Sequence, residues 1–223
     1  MMKPEIKAFV FDAYGTLFDV HSVMEKCNEY FPEKGEKISL SWRKKQIEYF
    51  FIRQLTGNYK PFHIITRDAL TYAVKEQGES LSKQQEDSLM ESYNLLTPYD
   101  EVTSVLEQLE GKKRVVFSNG SHQMLDPLIE QASLASLFSD VLSVDETKQY
   151  KPTPASYNIV LNKLNVRREE VLFMSSNGWD ISGAKSFGFN TAWINRNGLP
   201  VEELDAAPDK IYHDLRGILE WLE

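Results

Sequence analysis

The amino-acid sequence predicts an α/β fold: a doubly wound, mainly parallel sheet with a helical cap subdomain inserted into it. Three observations predict it. From residue 98 onward, short apolar runs alternate with helical segments, the pattern of βαβ units. Near the start, the run Lys7-Ala8-Phe9-Val10-Phe11 leads straight into Asp12 and reads as a strand buried on both faces. Between that strand and the next, residues 19–97 carry helical spacing without a trustworthy strand pattern, too long a stretch for one crossover. The expected division is 1–18 plus 98–223 for the core and 19–97 for the cap.

The first strand is expected at 6–11. Ser22 is placed as the N-cap of a helix reaching Tyr30, stopped by Pro32. A polar connection, 33–37, leads to a helix opened by Ser39 or Ser41 and running to Leu55. The turn-rich Thr56-Gly57-Asn58-Tyr59-Lys60-Pro61 breaks it. Phe62 to Gln77 is the next helix, ended by Gly78, and Ser82 caps another through about Leu96. The core resumes with a helix over 101–109, a strand over 114–117 and a helix over 125–132. A short strand at 141–144 follows, then a helix from Pro154, a favoured residue in a first turn. A strand at 171–174, a helix from Asp180 to Phe187, and strands at 191–194 and 211–213 come next, with a last helix reaching Trp221.

Composition narrows the function. A net charge of −8 over 223 residues favours neither a nucleic-acid backbone nor an anionic membrane as partner. The single cysteine, Cys27, excludes an intrachain disulfide framework and a cysteine-rich metal site, and it fits a reducing compartment. With no activating partner evident, Cys27 reads as a half-buried helix residue. No signal-like stretch opens the sequence, and no apolar run approaches the roughly 20 residues that span a bilayer. A cytoplasmic location is expected. His21, His63, His122 and His213 show neither triad nor metal spacing and read as structural or surface residues.

The polar residues converge. Asp12 follows the first strand, Ser118-Asn119 the second, and Ser175-Ser176-Asn177 a later one, with Asp180 a turn further on. A parallel sheet puts these strand ends on one edge, where open α/β sheets bind ligands. Lys151, in Gln149-Tyr150-Lys151-Pro152-Thr153-Pro154, joins the same edge. Each residue has a plain alternative. Asp12 or Asp180 could cap a helix, a serine after a strand is often an N-cap, and a lysine is usually a solvated surface group. Five of them on one edge favour chemistry. An ammonium beside Asp12 favours its charged form, and a positioned carboxylate can act as a covalent nucleophile.

The sequence resembles the haloacid dehalogenase superfamily in four regions: FDAYGTLFDV around Asp12, VVFSNGS around Ser118, YKPTP around Lys151, and SSNGWDISGAK from Ser175. Most members of that superfamily are magnesium-dependent phosphatases with a second Asp two residues after the nucleophile. Tyr14 stands there in this chain, and Ser175-Ser176-Asn177 stands where magnesium ligands would be acidic. Together with WRKKQIEY, the motifs are similar to those of the 2-haloacid dehalogenases acting on the L-enantiomer.

That resemblance implies a Rossmann-like core and an ester formed on Asp12 with inversion, so that short L-2-haloacids give D-2-hydroxy acids and halide. It implies catalytic roles for Asp12, Lys151, Asp180, Ser175, Asn177 and Thr16. Asp180, with Lys151, Ser175 and Asn177, would position or activate the water. Arg43 and Asn119 would cradle the halide, and Ser118 would bind the substrate carboxylate. Tyr14, Phe62 and Trp179 would wall the alkyl group and halogen, with Tyr157 supporting the site. The alternatives for Arg43 and the aromatics are a surface salt bridge, for instance with Glu48, and ordinary packing. No metal or organic cofactor is implied, and a homodimer is. The competing functions are a magnesium-dependent phosphatase of the same superfamily and a non-catalytic binding protein on this fold.

Overall fold

The computed structural model describes residues 5–222. Six strands form one sheet: β1 (Ala8–Phe11), β2 (Lys113–Ser118), β3 (Asp140–Ser143), β4 (Val171–Ser175), β5 (Asn190–Ile194) and β6 (Lys210–Tyr212). Their order is β3-β2-β1-β4-β5-β6, and every neighbouring pair is parallel. The chain builds one half outward from β1 and then returns to β1's other side to build the second. The junction of β1 and β4 is therefore the topological switch point, where the connections diverge and leave a crevice at the strands' C-terminal ends. All four residues of β1 are buried, as a central strand covered on both faces requires.

The segment between β1 and β2 begins with four helices: α1 (Met24–Tyr30), α2 (Gly35–Leu55), α3 (Phe62–Glu76) and α4 (Lys83–Ser92). Four more accompany the sheet: α5 (Val102–Gln108), α6 (His122–Gln131), α7 (Pro154–Leu164) and α8 (Gly178–Phe187). The α1–α4 block is knit by polar groups placed inside it. Buried Trp42 on α2 donates its Nε1–H to the Thr66 carbonyl on α3 at 2.8 Å. Buried Gln46 donates to Thr66 Oγ1 at 3.0 Å and accepts from the Tyr93 hydroxyl at 3.2 Å. These bonds satisfy groups that would otherwise be desolvated at a cost of about 1–3 kcal/mol each. The two chain segments joining block and sheet run side by side. Asp19 N–H donates to Thr97 O at 2.8 Å, and Tyr99 N–H to Leu17 O at 3.0 Å.

Several local expectations need correction. Ser22 does not cap α1; the helix starts at Met24, and the Ser22 hydroxyl donates to the Asp19 carbonyl at 2.8 Å. Neither Ser39 nor Ser41 opens α2, which begins at Gly35. A Cβ at Gly35 would lie 2.4 Å from the Asn28 backbone nitrogen, so the missing side chain lets α1 and α2 approach closely and the helix start there. The helix capped by Ser82 ends at Ser92 and continues as a 3-10 turn over Tyr93–Leu95, although its capping box with Gln85 is present. α8 starts at Gly178 rather than Asp180, and β6 stops before His213. The last helix, Leu215–Leu222, is 3-10 rather than α. Cys27 is fully rather than half buried, and burial pushes its thiol up to about 12, away from a reactive thiolate.

Candidate active site

The site begins in the turn after β1. Asp12 N–H still donates to Met174 O at 2.9 Å, so Asp12 lies one step past the strand, beside the end of β4. The Leu17 and Phe18 amides both donate to Ala13 O, closing a tight turn in which Gly15 has φ +88°. A side chain at Gly15 would be strained by that φ and would crowd Ser176 Oγ. The turn brings Thr16 back beneath Asp12. Thr16 Oγ1 donates to Asp12 Oδ2 at 3.1 Å and accepts from Ser176 N–H at 2.8 Å.

Asp12 is held differently at its two oxygens. Oδ2 accepts from Thr16, from Asn177 Nδ2 at 3.0 Å and from Ser175 Oγ at 3.3 Å. Oδ1 accepts from Lys151 Nζ at 2.9 Å. Ser175 closes β4 and Asn177 caps α8, so the strand-to-helix turn delivers both donors.

Lys151 lies on the loop after β3, anchored by its backbone N–H to Asn119 Oδ1 at 2.9 Å. Its three ammonium protons have three acceptors: Asp12 Oδ1, Asp180 Oδ2 at 2.6 Å and Phe117 O at 3.2 Å. The Phe117 and Phe173 rings each lie 5.2 Å from Nζ. Burial by itself would pull this ammonium down. The charges of Asp12 and Asp180 and the hydrogen bonds to them outweigh it and hold Lys151 above the ordinary lysine value. Asp180, fully buried in the first turn of α8, accepts from the Tyr157 hydroxyl at Oδ1 at 2.7 Å. Burial raises its pKa to about 6 against the opposing pull of Lys151.

The remaining candidates surround this cluster. Tyr14 turns its ring into the helical block, 5.8 Å from Phe62 and 6.3 Å from Tyr93. Burial drives its phenol far above the ordinary value, so it is no substitute for the phosphatases' acid. Arg43 on α2 reaches the sheet edge, with Nη2 3.4 Å from both Tyr14 O and Asn177 Oδ1. The salt bridge considered for it is taken, since Glu48 pairs with Lys45 at 2.9 Å. Arg43 borders a cleft of about 480 Å³ shared with Gly15, Ser176, Asn177 and Arg196. Ser118 Oγ accepts from Gly120 N–H at 3.0 Å, a bond within its own turn. Trp179 packs on Phe50 and Phe51, ring centroids 5.3 Å apart in each pair. Tyr14 Oη, Asn119 Nδ2 and Trp179 Nε1 are buried without a hydrogen-bond partner among the described residues. Of the histidines, His122 pairs with Asp126 at 3.0 Å and His63 Nδ1 lies 3.4 Å from Ser121 Oγ.

Sequence reasoning passed over Phe50 and Tyr150, whose rings lie 5.3 Å apart where α2 meets the Lys151 loop. The Tyr150 hydroxyl also donates to Lys60 O at 2.5 Å. The adjacency of Tyr150 to Lys151 was its one visible signal. The magnesium common in related phosphatases does not fit these donors. Among the described residues, no three of His, Cys, Asp or Glu converge. The Lys151 ammonium stands between the two carboxylates, where a cation would need oxygen ligands.

This crevice at the β1–β4 junction, with a buried, multiply hydrogen-bonded carboxylate at the end of β1, is the ligand-binding position of a doubly wound α/β protein. Residues 6–188 match the model of the haloacid dehalogenase-like hydrolases, and the chain belongs to that family. It is similar to an (S)-2-haloacid dehalogenase of Pseudomonas sp. strain YL, 42% identical over 98% of this chain and 95% of the relative. It is also similar to haloacetate dehalogenase H-2 of Moraxella sp. strain B, 40% identical over 92% of each. The solved structure of the L-2-haloacid dehalogenase of Xanthobacter autotrophicus with chloropropionic acid covalently bound superimposes with a TM-score of 0.92. That enzyme is 38% identical, with 97% of this chain and 98% of the other covered.

Proposed function

We propose that the protein hydrolyses short L-2-haloalkanoic acids to D-2-hydroxy acids and halide through an ester on Asp12. The observation that carries the reading is Asp12 itself, a buried carboxylate clamped by Lys151, Thr16, Ser175 and Asn177 with Tyr14 two residues on. The position two residues after the nucleophile, where a phosphatase keeps the acid for its leaving group, holds Tyr14, and a halide leaves without a proton. The covalent chloropropionate complex of the Xanthobacter enzyme supports the same chemistry.

Oδ1 of Asp12 receives one hydrogen bond among the described residues and Oδ2 three, so Oδ1 keeps a lone pair for the attack. That lone pair attacks the α-carbon from the side opposite the halogen. The carbon–oxygen bond forms as the carbon–halogen bond breaks, and halide leaves with its electron pair. In-line displacement inverts the carbon. Arg43, always charged and rich in N–H donors, receives the halide with Asn119, whose Nδ2 is a buried donor without a partner among the described residues. Ser118 and neighbouring backbone N–H groups bind the substrate carboxylate, while Tyr14, Phe62 and Trp179 wall the alkyl group.

Water then attacks the ester carbonyl of Asp12. Asp180 takes the water's proton and returns it to the departing hydroxy-acid oxygen. Lys151 orients Asp180, and Tyr157 holds its other oxygen. No step uses a metal or an organic cofactor. Residues 19–97 act as the cap that closes over the crevice and keeps it dry. The enzyme is cytoplasmic, consistent with its lone free thiol. It works as a homodimer, for which the exposed Leu40, Ile52 and Leu55 of α2 and Tyr72 of α3 offer apolar surface.

The test is halide release from L- and D-2-chloropropionate and chloroacetate in the presence of a chelator. Release from the L-enantiomer, with D-lactate as product, is expected. Folded protein that releases no halide from any of them would refute the reading.

A further inference from the structure

Arg196 lies on the loop after β5, beyond the residues matched by the family model. Its Nη2 donates to Glu101 Oε1 at 2.6 Å and to the Thr16 carbonyl at 3.0 Å. Tyr99 lies beneath the guanidinium, 3.6 Å from Cζ to the ring centroid. Glu101 is 4% exposed, and its Oε1 also accepts from Leu215 N–H at 3.3 Å. One carboxylate thus collects the β5 loop, the residue preceding α5 and the C-terminal 3-10 helix, and passes that anchorage to Thr16.

We propose that Arg196, held by Glu101, is a positioning residue for the nucleophile, acting through Thr16. The inference rests on Asp12 being that nucleophile. Thr16 stands between two parts of the site, donating to Asp12 Oδ2 and accepting from Ser176 N–H. Its side chain can hold both only while its backbone stays in place. The turn carrying it is closed from within by bonds to Ala13 O, but those leave the Thr16 carbonyl unused. Arg196 takes that carbonyl and ties the turn to the loop after β5 and to Glu101 ahead of α5. In-line attack on carbon depends on carboxylate direction, and a displacement near 1 Å costs about 100-fold in rate. A charged donor on a buried carbonyl is the strong form of such a tie.

The experiment is a kinetic cycle on the full-length protein with L-2-chloropropionate, run well below each variant's unfolding midpoint. Arg196→Gln should lower kcat for halide release about 10- to 100-fold. KM should stay within about threefold, because Arg196 guides the nucleophile and not the substrate. Arg196→Lys, which keeps the charge and the reach, should recover part of kcat. In a Thr16→Val background, Arg196→Gln should have little further effect, since residues acting through one contact are non-additive.

Independent, additive losses in that cycle would overturn the proposal. So would a raised KM with kcat unchanged, which would make Arg196 a substrate-binding group. Should Arg196→Gln not fold, Glu101→Gln takes its place and is expected to lower kcat in the same direction; unchanged kcat there overturns the proposal. Wild-type protein that releases no halide overturns the dehalogenase reading and this inference with it. Active wild type with unaffected Arg196 variants overturns this inference alone.

Discussion

The Lys151 ammonium and the Asp180 carboxylate lie 2.6 Å apart, and both side chains are wholly buried. The same ammonium reaches Asp12 at 2.9 Å, so one cation serves two anions inside the fold. Desolvation makes such an arrangement costly unless every proton and lone pair is matched. Here the three protons of Lys151 have three acceptors, and the unequal environments of the two carboxylates divide their labour.

Lys151→Met should therefore do more than slow the reaction. It leaves two buried carboxylates without their cation, and removing one partner of a buried pair costs about 3–5 kcal/mol. The urea midpoint should fall at neutral pH, and halide release should drop on the order of 100- to 1000-fold. A variant with wild-type stability at pH 7 would contradict the cluster's geometry.

Asp180 sets a pH dependence with a definite sign. Its folded pKa of about 6 lies above the ordinary 3.8. Below pH 6 it is protonated and unable to take a proton from water, so ester hydrolysis should slow about tenfold per unit of acidification. Its contribution to stability runs the other way. It is complete below about pH 3.9 and fades as pH rises through 6, because the native state binds the proton more tightly than the unfolded chain. The stability of wild type relative to Asp180→Asn should decline over that interval, as read from urea midpoints at each pH.

Asp180→Asn should also separate the two chemical steps. Asp12 keeps its donors, so the ester still forms and one equivalent of halide is released, but hydrolysis stalls. Intact-mass spectrometry after mixing with L-2-chloropropionate should show the protein heavier by one propionate unit. In wild type, a single turnover in heavy-oxygen water should place the label in the Asp12 peptide; label found first in lactate would rule out the ester route.

Tyr14→Phe offers a different readout. The Tyr14 hydroxyl is buried with no partner among the described residues. Removing an unsatisfied buried hydroxyl should raise the stability of the free enzyme by about 1 kcal/mol. If the hydroxyl faces bound substrate, KM rises at the same time. Thermal unfolding with and without a non-reactive 2-hydroxy acid separates the two effects.

The sheet was legible because its strands are short apolar runs separated by helices of ordinary spacing, as at Val171–Ser175 followed by Gly178–Phe187. The convergence of Asp12, Lys151, Ser175, Asn177 and Asp180 was legible because parallel strands share an edge. The starts of α1, α2 and α8 were not, although those at Phe62 and Pro154 and the Ser82 cap were. α2 begins at Gly35 because α1 packs against it there, and no property of residues 33–37 alone reveals that contact. The 3-10 form of Leu215–Leu222 was equally hidden, since its apolar pattern resembles that of an α-helix.

The sequence by itself determined the order of elements, the edge on which the chemistry gathers, and Tyr14 in place of an acid. Each of these depends on local periodicity or on the identity of one residue. Tertiary structure alone decided which oxygen of Asp12 meets Lys151 and how far burial lifts Asp180. It also decided that Arg196, 180 residues from Thr16 along the chain, holds that residue's carbonyl. Those outcomes depend on strand register, burial and distances across the fold, which no stretch of sequence carries on its own.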